Sequence, residues 1–164
     1  MINLFQIIGQ YFLFLRKVFT RPQRGSIFYA ETVKEIDKLG LKSIGIVAII
    51  SAFMGAVITI QTAYNTENPL LPSYLIGVAA RDSILLEFSS TIVALILSGK
   101  VGSNIASEIG TMRVTEQIDA LEIMGVNSAN YLVLPKITAA VLFNPFLCMM
   151  SIIIGIVGGW AVGV

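Results

Sequence analysis

Histidine is absent from this chain of 164 residues, and there is a single cysteine, Cys148. Without imidazole the chain lacks the commonest general base and the commonest metal ligand. One cysteine inside an apolar run allows neither a disulfide framework nor a thiolate cluster within the chain. The phosphate-binding loop G-x-x-x-x-G-K-[ST] is also missing, so the chain does not hydrolyse ATP by that route. We identify no catalytic residue and expect no metal and no cofactor.

Charged residues are scarce as well, at 13% of the chain against roughly 25% in typical globular proteins. The net charge of +1 offers no electrostatic footprint for nucleic acid, which we exclude as a partner. Apolar residues make up 55% of the chain, and the mean hydropathy is +0.83. A soluble domain of ~150 residues still exposes about a third of its unfolded surface. The composition therefore predicts an all-α membrane protein.

The N-terminal residues 2–19 predict a helix that lies in the membrane interface. Their polar side chains, Asn3, Gln6, Gln10 and Lys17, fall within about 60° of one another on a helical wheel. The basic residues follow the apolar stretch, which is the reverse of a secretory signal. We expect this helix to lie with its aromatic side towards the membrane. A disordered tail is the alternative.

Residues 26–40 predict a second, short helix on the cytoplasmic side. Pro22 and Gly25 mark a turn before this helix, and Gly40 is expected to end it. Two ion pairs at i,i+3 spacing contribute a few tenths of a kcal/mol each. They are Glu31 with Lys34 and Glu35 with Lys38.

Three apolar stretches predict transmembrane helices. Residues 43–63 carry no charge and are long enough to cross ~30 Å of hydrocarbon. A second span is predicted at 73–99 and a third at 132–163, where Pro135 and Pro145 interrupt the apolar run. The single domain 1–164 is thus two surface helices followed by three spans.

The distribution of basic residues predicts the orientation. Seven of the eleven lysines and arginines precede position 43, whereas the loop 64–72 contains none. By the positive-inside rule, the N-terminus and residues 100–131 are cytoplasmic, and the loop 64–72 is outside. The chain stops at Val164 on the last turn of a span. We therefore expect it to be the N-terminal part of a longer protein.

One acidic residue, Glu87, falls near the centre of the second predicted span. A charge at the bilayer centre costs ~3 kcal/mol on insertion scales, so its side chain should face protein or a wet cavity. We interpret Glu87 as lining a substrate cavity, with a structural hydrogen bond to a neighbouring helix as the alternative. Arg81 and Ser90 are assigned to the same candidate cavity. A structural role is the alternative for Arg81 and Asp82, which need not pair because adjacent helical residues do not share a face.

Small residues recur at four-residue spacing in two places. One row is Ser98, Gly102, Ala106 and Gly110, and the other is Ser151, Gly155, Gly159 and Gly163. Such rows let helix backbones approach closely in membranes. They predict tight helix packing within one subunit or between subunits.

The polar segment 100–131 contains a predicted short helix at 116–124. Thr115 is a suitable N-cap, and Gly125 is a natural residue just past the C-terminus. The helix carries apolar residues among its acids, namely Ile118, Leu121, Ile123 and Met124. An exposed helix of this kind indicates a partner protein, and a loop helix packed on its own membrane domain is the alternative.

The stretch from Gly99 to Lys136 resembles the signature of the MlaE/YrbE family, the permease subunits of lipid-transporting ABC systems. Fifteen positions match that signature. They are Gly99, Gly102, Glu108, Gly110, Met112, Arg113, Thr115, Glu116, Gln117, Leu121, Glu122, Met124, Val126, Pro135 and Lys136. A weaker resemblance extends over nearly the whole chain.

The resemblance implies a five-span permease of the bacterial inner membrane. Such proteins form homodimers, sit on cytoplasmic ATPase subunits, contact a periplasmic MCE-domain protein and move phospholipid between the inner and outer membranes. Helix 116–124 would be the coupling helix that docks in a groove of the ATPase. The residues implied in coupling are Glu108, Arg113, Thr115, Glu116, Gln117, Leu121 and Met124. From the spacing of the small residues, Gly102, Gly110, Gly155 and Gly159 are assigned to helix packing.

The sequence departs from the family pattern at two places. The family reads Arg-Glu-Leu-Gly-Pro early in the second span, where this chain keeps only the glutamate, Glu87. Ser128 replaces the proline that usually follows the coupling helix. Two other functions stay open: a proton-coupled secondary transporter that uses Glu87 and Asp82, and a non-transporting scaffold of a lipid-transfer complex.

Overall fold

A computed structural model describes residues 2–20, 25–65, 72 and 74–163. Pro22, residues 66–71 of the predicted outer loop and the first residue of the predicted second span lie outside the described residues. Seven α-helices follow one another in these described residues. They are α1 (Ile2–Val18), α2 (Gly25–Glu35), α3 (Ile44–Asn65), α4 (Tyr74–Ser83), α5 (Ser89–Val114), α6 (Gln117–Ile123) and α7 (Ser128–Gly163). The described residues contain no strand, which confirms the all-α prediction.

Two pairs of helices are joined without a break by short turns of altered helical pitch. A π-helical turn at Ile36–Gly40 and a 3-10 turn at Leu41–Ser43 connect α2 to α3. A second π-helical turn at Ile84–Phe88 connects α4 to α5. Each pair is one rod of 41 residues, about 60 Å long. Because hydrocarbon is ~30 Å thick, each rod extends well beyond the membrane.

Gly40 does not end a helix, contrary to the prediction. Its backbone stays right-handed, with φ −89° and ψ −76°, and the chain continues into α3. The ring of Phe143 on α7 occupies the space where a side chain on Gly40 would lie. The glycine therefore serves a close contact between helices.

The three spans predicted from the sequence correspond to helices of the structure. The rods 25–65 and 74–114 and the helix α7 are each long and apolar enough to cross a membrane. The second rod continues to Val114 instead of ending near position 99, and α7 begins at Ser128. The chain is thus a multi-pass membrane protein.

The closest contact between helices is the crossing of α3 and α7. The hydroxyl oxygens of Ser51 and Ser151 are 2.8 Å apart and buried. Gly55 lies so close to the carbonyl of Gly155 that a Cβ on Gly55 would overlap it. Without a hydrophobic driving force in lipid, such backbone contact is what holds membrane helices together. The predicted small-residue row on α7 therefore packs within the chain.

The C-terminus of α1 is fixed to the beginning of α7. The side-chain amide of Asn130, which is buried, donates to the carbonyl oxygens of Val18 at 2.6 Å and Thr20 at 2.7 Å. Asn127 donates to the carbonyl oxygen of Lys17 at 2.9 Å. These bonds satisfy carbonyls that a helix end otherwise leaves unpaired. The aromatic side chains of α1 remain exposed in this chain, and its position in the membrane interface stays a prediction.

Candidate functional site

The segment that leads from α5 into α6 has a left-handed backbone at Glu116. Glu116 has φ 57° and ψ 15°, a left-handed conformation that is uncommon outside glycine. This places Glu116, and not Thr115, at the N-cap position of α6. The hydroxyl of Thr115 donates instead to the carbonyl oxygen of Thr111 at 2.8 Å, back along α5. The prediction of Thr115 as the N-cap is wrong, because the left-handed residue that precedes α6 is Glu116, one position later.

The C-terminus of α6 is defined by Gly125, as the sequence predicts. Gly125 has φ 74°, and its N–H donates to the carbonyl of Glu122 at 3.0 Å. The N–H of Val126 donates to the carbonyl of Leu121, also at 3.0 Å. This pair of bonds is a Schellman motif, which needs a left-handed residue and so favours glycine. The hydroxyl of Ser128 then donates to the Glu122 carboxylate at 2.9 Å, which ties α6 to the start of α7.

Three apolar side chains around α6 point away from the rest of the chain. The exposed fractions are 84% for Val114, 87% for Ile123 and 68% for Met124. Leu121 is half-buried and faces its own chain, where it lines a cavity with Tyr131 and Pro135. We call Val114, Ile123 and Met124 the α6 patch. The sequence pattern did not single out Val114, which ends α5 one residue after Arg113.

Charged and polar residues lie between the members of the α6 patch in the sequence. Arg113 forms an ion pair with Asp119, which links the end of α5 to the first turn of α6. Glu116 and Gln117 are exposed beside this pair. A small apolar centre with a polar rim is the usual anatomy of a protein interface.

A cluster of four charged side chains joins α2, α5 and α7 next to this region. The ammonium of Lys136, 4% exposed, lies 2.8 Å from Glu35 Oε1 and 2.6 Å from Glu108 Oε2. Lys38 lies 3.4 Å from Glu108 Oε1 and 3.7 Å from Glu35 Oε1. The two lysines and two glutamates balance in charge, although Glu35 Oε2 is buried and has no hydrogen-bond partner among the described residues. The predicted Glu35–Lys38 pair exists, but the shorter contact of Glu35 is with Lys136.

Glu108 lies in the part of α5 beyond the uncharged stretch 88–99. Burial by itself would raise the pKa of its carboxyl group, but the hydrogen bond and the charge of Lys136 outweigh burial and hold that pKa below its usual value. The carboxylate is therefore charged at neutral pH. Its assignment to coupling stays a prediction, and its contacts join α5 to α7 through Lys136 and to the π-helical turn of the α2–α3 rod through Lys38.

The candidate cavity residues lie near the π-helical turn of the second rod. Glu87 is within the turn, and its side chain is exposed in the single chain. The Ser90 hydroxyl donates to the Glu87 carbonyl oxygen at 3.2 Å. Arg81 donates to Asp82 Oδ1 through Nε at 3.0 Å and Nη2 at 2.8 Å, so these adjacent residues do pair. Ser90 thus contacts the backbone of Glu87, whereas the Arg81 side chain is paired with Asp82.

The four glycines assigned to helix packing divide into two pairs. A Cβ on Gly159 would lie 2.5 Å from Thr59 Oγ1, and one on Gly155 would lie 3.3 Å from Ile84 Cγ2. Gly102 and Gly110 have no described atom within 4 Å of where a Cβ would be. Close contact at Gly102 and Gly110 therefore requires another chain or segment.

Comparison with known proteins identifies the family of this chain. The profile of the family described as Permease MlaE matches residues 32–164. The chain is 36% identical over 163 residues to a probable ABC transporter permease protein of Rickettsia bellii, covering 99% of this chain and 62% of that protein. It is 32% identical over 164 residues to the intermembrane phospholipid transport system permease protein MlaE of Haemophilus influenzae, with the same coverage.

A plant protein is also similar. The chain is 33% identical over 139 residues to the chloroplastic protein TRIGALACTOSYLDIACYLGLYCEROL 1 of Arabidopsis thaliana. The matched region covers 85% of this chain and 39% of that protein. The chain thus spans about three fifths of the length of the bacterial relatives named here.

Proposed function

The chain belongs to the MlaE permease family, and from that membership we propose that it acts in the permease subunit of an ABC transporter that moves phospholipid between the inner and outer membranes. The Haemophilus influenzae relative is named for intermembrane phospholipid transport. The three apolar helices and the lack of histidine favour transport over catalysis by this chain. ATP hydrolysis then belongs to a partner subunit.

The α6 patch is the observation that carries this proposal. Val114, Ile123 and Met124 expose apolar surface at a point where the chain has left its apolar spans. Exposed apolar groups with a charged rim fit a helix-in-groove contact with another protein. We propose that α6 is the coupling helix and that the ATPase subunit covers this patch. Glu116, Gln117 and the Arg113–Asp119 pair then form the rim of the contact.

The structure offers a direct mechanical path from α6 into the membrane. α5 ends one turn before α6 and continues as one rod to Tyr74. The cluster of Lys136, Glu35 and Glu108 ties this rod to α7 and to the α2–α3 rod. Movement of α6 on an ATPase would therefore displace whole helices rather than a flexible loop. We propose that this displacement opens and closes the lipid site.

The lipid site itself is proposed near Glu87. Its carboxyl group is exposed in the single chain although it falls midway along the second predicted span. An ionisable group at that depth has to face protein or water. We propose that a second copy of the permease covers this face and that Glu87 and Ser90 line the enclosed cavity, with Arg81 and Asp82 as a structural pair. Gly102 and Gly110 offer open backbone for contact between copies.

Orientation and partners follow from the same proposal. We propose that α6 and the N-terminus are cytoplasmic in the bacterial inner membrane, which agrees with the positive-inside rule. The opposite end would then face the periplasm, where an MCE-domain protein is the proposed partner. Proton-coupled transport by Glu87 and Asp82 finds less support, because the carboxylate of Asp82 is engaged by Arg81.

The test is transport by the full-length permease in proteoliposomes with its ATPase and MCE-domain partners. A fluorescent phospholipid should leave or enter the vesicles only when ATP is hydrolysed. Transfer driven by a proton gradient without ATP would support the secondary transporter instead. Assembly of the complex without any ATP-dependent transfer of lipid would support the scaffold.

A further inference from the structure

Two adjoining cavities lie where the apolar spans meet the polar extensions, at the α6 end of the molecule. One cavity, of about 440 Å³, is lined mainly by apolar side chains of α5 and α7. The other, of about 910 Å³, is lined mainly by polar and charged residues. Both volumes fall in the range of small-molecule sites. Leu39 and Val101 line both cavities, so the two spaces are neighbours.

The polar cavity carries positive charge. Its lining contains three lysines, Lys38, Lys42 and Lys100, and one carboxylate, Glu108. Lys38 is neutralised by Glu108 and Glu35 in the charge cluster. The remaining excess of positive charge rests on Lys42 and Lys100.

Lys42 and Lys100 both line the polar cavity and are only weakly neutralised. The ammonium of Lys100 donates to the backbone carbonyl oxygen of Lys42 at 2.5 Å, which holds it next to the Lys42 backbone. The nearest carboxylate oxygen to the Lys42 ammonium is Asp37 Oδ2, at 4.0 Å, and this pair is largely exposed. A lysine ammonium has three N–H donors, so donors remain on both side chains.

The depth of these lysines matches the level of lipid headgroups. Lys42 directly precedes the uncharged stretch 43–63, and Lys100 directly follows the uncharged stretch 88–99. The apolar cavity extends from this level along the spans. Its larger apolar lining residues are Leu39, Leu97, Val101, Ile105, Phe143 and Leu147. A basic cavity at the end of the uncharged stretches, next to an apolar cavity along the spans, has the polarity pattern of a phospholipid.

We infer that these two cavities form one binding site for an anionic phospholipid. Its phosphate group binds Lys42 and Lys100, and one acyl chain lies in the cavity between α5 and α7. The site is separate from Glu87 and uses other residues. It rests on the proposed function only in taking phospholipid as the ligand and the α6 end as the cytoplasmic leaflet. Lysine ammonium groups attract anionic lipids in this way at membrane surfaces.

The test is photo-crosslinking to the full-length permease in nanodiscs, without ATP and without partner subunits. The probes are phosphatidylglycerol and phosphatidylcholine that carry a diazirine in one acyl chain. We expect phosphatidylglycerol adducts on peptides that contain residues 94–105 and 139–147. Neutralising Lys42→Gln and Lys100→Gln should lower these adducts by roughly fivefold for each lysine. Lys34→Gln is the matched control, since Lys34 is an exposed lysine outside the site.

A second variant tests the acyl-chain half of the site. Ala94 is exposed and lines the apolar cavity, so Ala94→Phe should fill it and lower adducts from both lipids. Leu95→Phe on the same helix is the control. The assignment would be overturned if both lipids labelled these peptides equally and the lysine variants did not change that labelling. Crosslinks between residues that line the apolar cavity and another segment of the chain, or a second copy, would also overturn it. Because the assay needs no ATP, loss of transport in the vesicle experiment would leave its outcome unaffected.

Discussion

The ammonium of Lys136 lies 2.6 Å from Glu108 Oε2, and this contact fastens the third turn of α7 to the polar end of α5. The same ammonium reaches Glu35 on α2 at 2.8 Å. One buried cation thus joins the two rods and α7 where they leave the apolar spans. The α6 patch is connected to the membrane helices through this junction, so its integrity is a condition for coupling.

Replacing Lys136 with methionine should destabilise the protein strongly. The substitution leaves Glu35 and Glu108 close together, with Lys38 as their remaining partner in the cluster. Removing one partner of a buried ion pair typically costs about 3–5 kcal/mol. Thermal unfolding in detergent measures the effect, and Lys34→Met is the control at an exposed pair. Adding Glu35→Gln to Lys136→Met should recover part of the loss, and unfolding of Lys136→Met at the wild-type temperature would contradict the cluster's role.

Gly55→Leu should disrupt the crossing of α3 and α7. A side chain there would overlap the backbone carbonyl of Gly155, which cannot move aside as a side chain could. Overpacking costs typically 1–3 kcal/mol, and occasionally more. Gly45→Leu is the matched control, because nothing lies within 4 Å of a Cβ at that position on the same helix. Equal thermal stability of the two variants would show that the crossing is looser than described.

Ile123→Asp and Met124→Asp should each weaken binding of the ATPase subunit. Both side chains are exposed, so the substitutions add charge to the docking surface without disturbing the fold. Loss of a central interface residue costs about 2 kcal/mol, or roughly thirtyfold in Kd. Binding of the purified subunits is measured by biolayer interferometry, with Ile123→Met as the apolar control. An unchanged Kd in both aspartate variants would exclude the α6 patch from the contact.

Glu87→Lys should lower the amount of lipid that copurifies with the permease. The substitution reverses the charge on the face proposed to enclose the lipid cavity. Native mass spectrometry measures the bound lipid, and Glu87→Gln separates the effect of charge from that of side-chain size. Normal lipid occupancy in Glu87→Lys would remove Glu87 from the cavity.

Much of the fold was predictable from the sequence. The three spans follow from long, mainly apolar runs, because a helix of that length satisfies its own backbone in lipid. Gly125 was recognised because a left-handed residue at a helix end favours glycine. Gly40 misled the prediction, because its role is to admit the ring of Phe143 and not to end a helix.

The candidate site was less accessible to sequence reasoning. Lys136 and Glu35 are 101 positions apart, so no local spacing rule pairs them. The orientation of α6 was also hidden, since Leu121 turns inward while Ile123 and Met124 face out. Ser51 and Gly55 on α3, which contact Ser151 and Gly155 on α7, are also four residues apart. This second row of small residues could therefore have been predicted from the sequence.

The most direct measurement of the central claim, that α6 is a cytoplasmic docking point for the ATPase, is labelling of one engineered thiol. The full-length protein carries Met124→Cys, with Cys148 and any cysteine beyond residue 164 replaced by serine, so that the thiol lies in the α6 patch. A membrane-impermeant maleimide should label this thiol in inverted membrane vesicles but not in intact spheroplasts, and bound ATPase should block the labelling. Labelling in intact spheroplasts, or labelling that the ATPase leaves unchanged, would contradict the claim.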